Sequence, residues 1–69
     1  MTEIKIVANG ETWKVPAQQL LTDFLASRNQ SIERVIVERN GEALTPSEAR
    51  STLLEDGDTL EIVRIVAGG

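Results

Sequence analysis

Glu55-Asp56-Gly57-Asp58-Thr59-Leu60-Glu61-Ile62-Val63-Arg64-Ile65-Val66-Ala67-Gly68-Gly69 closes the sequence and decides how the rest is arranged around it. The first four residues read as a turn. Aspartate side chains bond to nearby backbone, and Gly57 sits where the chain must reverse. Thr59 to Val66 then reads as a strand in which Ile62-Val63 and Ile65-Val66 flank a single arginine. Apolar residues on both faces suit a strand inside a sheet rather than at its edge. The last three residues, Ala67-Gly68-Gly69, carry almost no side chain.

Neighbours for that strand are found upstream. Glu3 to Ala8 alternates, with Ile4 and Ile6 on one face. Asn9-Gly10 is a strong two-residue hairpin signal, because both turn positions must accept positive φ. Thr12 to Val15 returns as a second strand with Trp13 and Val15 on one face, and Pro16, lacking an amide donor, ends it. From about Ala17 to Arg28 the period changes: Leu20, Leu21, Phe24 and Leu25 fall at helical spacing, and Asn29 is a left-handed stop. Ile32 to Arg39 is a third strand, Val35 and Val37 facing one side and Ile36 the other. Asn40-Gly41 turns it into Glu42-Ala43-Leu44. Thr45-Pro46-Ser47-Glu48 has the layout of a capping box opening a short helical turn to about Arg50.

The resulting order is β-β-α-β-β-β with a late helical turn. One helix has one apolar stripe to bury, and the sheet is the only surface available for it. This predicts an α+β, β-grasp (ubiquitin-like) fold. A mixed sheet of four to five strands would carry one main helix across one face, with the first and last strands side by side and parallel. A single domain over 1–69 is expected, with 66–69 as a flexible, reactive Gly-Gly tail.

Composition narrows the function. The 69 residues contain no cysteine and no histidine, which excludes disulfides, a thiolate nucleophile, the usual neutral-pH base and the commonest metal ligands. Seven basic residues are scattered and outnumbered by eleven acidic ones, giving a net charge of −4 and arguing against nucleic-acid binding. The N-terminus lacks a secretory layout, and no apolar run spans a bilayer. A cytoplasmic protein that binds no membrane is therefore expected. No cofactor and no metal are expected either. Asp56 and Asp58 around Gly57 fall far short of a calcium loop and read as turn formers. Trp13 reads as core filling on the second strand. No Gly-rich phosphate loop precedes a helix.

With no nucleophile, base or cleft, the chemistry shifts to the tail. Gly68 and Gly69 can thread a narrow channel and bring a carboxylate to another protein's reactive atoms. A carboxylate is a poor electrophile until one oxygen becomes a leaving group, and the catalytic groups for that must come from a partner. A second feature is the sheet face opposite the helix. If Val35, Val37, Leu60 and Ile62 face inward, then Ile36, Val63 and Ile65 project outward as a candidate docking surface.

The whole chain resembles the sulfur-carrier proteins of thiamin-thiazole synthesis, the ThiS type. The resemblance is carried by Asn9-Gly10-Glu11, Phe24-Leu25, Val35 to Glu42, Glu55 to Val63, and Val66-Ala67-Gly68-Gly69. It departs from the family where Ala49 stands near a customary tryptophan. The resemblance implies that an ATP-dependent enzyme of the ThiF type adenylates Gly69. Sulfur then replaces the adenylate as a thiocarboxylate, and thiazole synthase (ThiG type) takes that sulfur. Gly69 carries over as the modified residue, with Ala67 and Gly68 as its slender approach, and the chain as a protein co-substrate rather than an enzyme. Three alternatives share the predicted fold: a molybdopterin-type sulfur carrier, another ubiquitin-like carrier or modifier, and a non-reactive binding module.

Overall fold

The computed structural model describes residues 2–66. Five strands form one sheet: β1 (Glu3–Ala8), β2 (Glu11–Pro16), β3 (Val35–Arg39), β4 (Glu42–Leu44) and β5 (Thr59–Arg64). Their spatial order is β2-β1-β5-β3-β4, so the last strand is central. β1 and β5 are parallel, with Val7 beside Thr59 and Ala8 beside Leu60. The other pairs are antiparallel, and both hairpins turn on the Asn-Gly pairs. Asn9 and Gly10 adopt φ of 50° and 83°, Asn40 and Gly41 of 51° and 86°, the left-handed values such two-residue turns require.

Helix α1 (Leu21–Ser27) crosses one face of the sheet and buries Leu21, Phe24 and Leu25 against Ile4, Ile6, Val37 and Leu60. Burying a side chain of that size contributes about 1.5–3 kcal/mol, so this stripe is what holds the helix to the sheet. A short 3₁₀ turn, Ile32–Arg34, leads into β3, and α2 (Pro46–Arg50) closes the far edge. The capping box forms as the sequence predicts: the Glu48 amide donates to Thr45 Oγ1 at 3.1 Å, and the Thr45 amide donates to Glu48 Oε1 at 2.8 Å. Ala49, near the customary tryptophan of the resembled family, is wholly buried.

Three boundaries differ by two residues or more from the sequence reading. The helix begins at Leu21, not near Ala17. Gln18 adopts a left-handed φ of 63°, and Leu20 is extended, bridging Leu53. The Leu21 amide donates to the Thr52 carbonyl and the Leu54 amide to the Gln19 carbonyl. These backbone bonds hold the approach to the helix open, and they leave Leu20 at the surface rather than in the core. The third strand starts at Val35 because Ile32–Arg34 tightens into its own turn. The last strand ends at Arg64, two residues before Val66.

Candidate functional site

β5 is held at its start by polar side chains. Asp58 is only 4% exposed and accepts three hydrogen bonds: from the Glu55 amide (2.9 Å), Arg39 Nε (3.0 Å) and Asn40 Nδ2 (3.0 Å). Burial alone would raise the Asp58 pKa. The hydrogen bonds from Glu55, Asn40 and Arg39, with the Arg39 charge, outweigh it and hold the carboxyl below its ordinary 3.8. Asn40 Oδ1 also accepts from the Thr59 amide at 2.9 Å. Asp56 and Asp58 are thus turn formers, as expected: Asp56 Oδ1 takes the Lys5 amide at 2.8 Å, and the Gly57 amide donates to the Lys5 carbonyl. Among the described residues no three potential ligands come together to hold a metal.

The parallel ladder between β1 and β5 covers two residue pairs, whereas β3 follows β5 for five. Asn9 extends the short side. Its Oδ1 accepts from the Ile62 amide at 2.7 Å and its Nδ2 donates to the Ile62 carbonyl at 3.1 Å, imitating one more residue of strand. Past this point β5 runs on beside β3 alone, and the Ile65 amide donates to the Arg34 carbonyl at 2.8 Å. The sequence marked both Asn-Gly pairs as turns but not the roles of their side chains. Asparagine is the ordinary opening residue of such turns, so no local signal marked those roles.

Leu60 and Ile62 face α1 and are buried, with Val35 and Val37 beside them. Ile36 and Val63 stand directly opposite one another on the other face, 52% and 59% exposed, and Ile65 follows at 51%. Val66, at 81%, extends the apolar strip toward the tail. Ala67, Gly68 and Gly69, the predicted modified residue and its approach, lie outside the described residues. Trp13 is half-buried, edge-on to Phe24 with centroids 6.1 Å apart, and the Arg28 guanidinium lies 4.1 Å from the Trp13 ring centre. It fills space beside the core, as its place on β2 suggested.

A mixed five-stranded sheet, parallel β1 and β5 at its centre, and one helix across one face define a β-grasp protein. The ThiS family model matches residues 2–69. The crystal structure of the thiamine biosynthesis protein ThiS from Geobacter metallireducens superimposes with a TM-score of 0.77 at 30% identity, covering 96% of this chain and 100% of that one. A thiazole synthase of Paramagnetospirillum magneticum is 35% identical over 66 residues, 96% of this chain but 20% of that protein. This chain therefore spans about a fifth of that curated relative's length. The chain belongs to the ThiS family.

Proposed function

We propose that this protein carries sulfur for thiamine biosynthesis on the carboxylate of Gly69. In this reading residues 1–69 are one β-grasp domain, and Val66 to Gly69 are its reactive arm. Fully extended, those four residues reach about 13 Å, enough to pass a narrow opening while the sheet stays outside it. A separate ATP-dependent enzyme of the ThiF type supplies catalysis. A Gly69 carboxylate oxygen attacks the α-phosphorus of ATP and pyrophosphate leaves, giving an acyl-adenylate. A partner's persulfide then displaces AMP at the carbonyl carbon, and attack of a second partner thiol on the resulting acyl disulfide forms a disulfide on the partner and expels the thiocarboxylate. A thiazole synthase of the ThiG type takes up that sulfur. The work belongs in the cytoplasm, where ATP is supplied.

This chain's own contribution is presentation. Gly68 and Gly69 place no Cβ in the partner's channel, and Ile36, Val63 and Ile65 are the surface on which a partner seats. The observation that carries the reading is their placement: an exposed apolar strip, on the face opposite the helix, flanks the very strand that runs into Ala67-Gly68-Gly69. The family match and the Geobacter structure support the same reading. The test is a chain lacking Gly69, assayed for sulfur transfer into the thiazole product. Transfer should vanish while the urea denaturation curve stays that of the full chain. Undiminished transfer would refute the proposal.

A further inference from the structure

The antiparallel register of β3 and β5 sets Glu38 directly opposite Glu61. Both are exposed, and both lie on the open face, where Ile36 and Val63 form the next pair along. Like charges directly opposite one another across a ladder destabilise it. Among the described residues neither glutamate has an ion-pair partner: Ala43 is the β4 neighbour of Glu38, and the ion pairs are those of Arg39 with Glu55 and Asp58. Lys5 and Lys14, themselves opposite one another, share the open face but stand at its other side. Counting from the Val7–Thr59 register, Lys5 is four residues from the level of Glu61, about 13 Å along the strand. Physiological salt screens most of an attraction over that distance.

Two acids forced together beside an exposed apolar strip complement a surface that carries a cation set among apolar groups. The Paramagnetospirillum relative indicates whose surface. In it a segment like this chain makes up a fifth of a thiazole synthase, joined covalently to the rest of that protein. We infer that the β3–β5 face docks on thiazole synthase through Ile36 and Val63, and that Glu38 and Glu61 together receive one arginine or lysine of that enzyme. The inference rests on the carrier reading and names the partner for its docking strip. A single cation between the two carboxylates turns a repulsion in the free chain into attraction in the complex, so folding and docking make opposite demands on the same pair.

That opposition is the test. The chain and its Glu38→Gln/Glu61→Gln double variant are titrated against the thiazole synthase of the same organism at low and high salt, and each is unfolded in urea. The double variant should bind about tenfold more weakly with a flatter salt dependence, yet unfold at a higher urea concentration. Glu61→Lys, which pairs with Glu38 in the free chain, should be the most stable and the weakest binder. Equal affinity for all three chains, earlier unfolding of the double variant, or no binding by the unaltered chain would each overturn the inference. Failure of the carrier reading would appear elsewhere, as no thiocarboxylate on the unaltered chain treated with the activating enzyme, an assay in which thiazole synthase takes no part.

Discussion

The two ends of β5 are built on opposite principles. At its start the backbone is tied by Asn40 from the β3–β4 turn and by Asp58, which is buried, charged and supplied with three donors. At its far end the hydrogen bonds thin to one side, and Ile65 and Val66 keep their apolar surface in water. Buried polar groups stabilise only when their partners are present, so the first end fixes the strand's register. The exposed apolar end gains nothing for the free fold, which is the pattern expected where a partner completes the surface. One strand thus couples a rigid anchor to an exposed apolar end, and the two can be altered separately.

The sharpest break falls on the anchor. Asp58→Ala leaves two hydrogen-bond donors unmet and Arg39 with only its looser pairing to Glu55 at 3.7 Å, and should cost about 3 kcal/mol by urea denaturation. Arg39→Ala should cost less, because Asn40 and the Glu55 amide still hold the carboxylate. Asn9→Ala removes both bonds to Ile62 and puts a Cβ-bearing residue at left-handed φ, an expected loss of about 2 kcal/mol. Asn9→Gly relieves the backbone without restoring the bonds and should recover only part of it. At the presenting end the pattern inverts. Ile36→Ser and Val63→Ser should shift stability by no more than about 0.5 kcal/mol, while weakening partner binding about tenfold in titration calorimetry. A large stability loss there, or none at Asp58, would dissolve the distinction between the two ends.

Acid sharpens the same contrast. Because the folded pKa of Asp58 lies below its ordinary value, its contribution is fully present above about pH 3.8 and is lost as pH falls through the lower folded value. Unfolding followed from pH 5 downward should show this loss, and Asp58→Asn should flatten that part of the curve. The Ile36 and Val63 variants should keep the slope of the unaltered chain.

Much of this was legible in the residues. Both Asn-Gly turns, the Thr45–Glu48 box and the alternation around Ile36 followed from local chemistry, and the central place of the last strand followed from its apolar residues on both faces. What sequence could not supply was long-range. Asn9 meets Ile62 across 53 positions, and Asn40 meets Asp58 across 18. Nothing in a local window distinguishes an asparagine that only turns from one that also ties a distant strand. The helix start failed for the same reason: Leu20 fits a helical stripe, but backbone bonds from Leu21 and Leu54 hold that segment extended. The exposure of Ile36, Val63 and Ile65 was foreseen from alternation alone, whereas the opposition of Glu38 and Glu61 needed the register between strands.

The central claim is that Gly69 bears the transferred sulfur, and fragmentation mass spectrometry tests it most directly. The chain is treated with a ThiF-type enzyme, ATP and a sulfur donor, and its intact mass and C-terminal fragments are read. The mass should rise by the exchange of one oxygen for sulfur, confined to fragments containing Gly69. No gain after such treatment with the chain's own activating enzyme, or sulfur on any other residue, would contradict it.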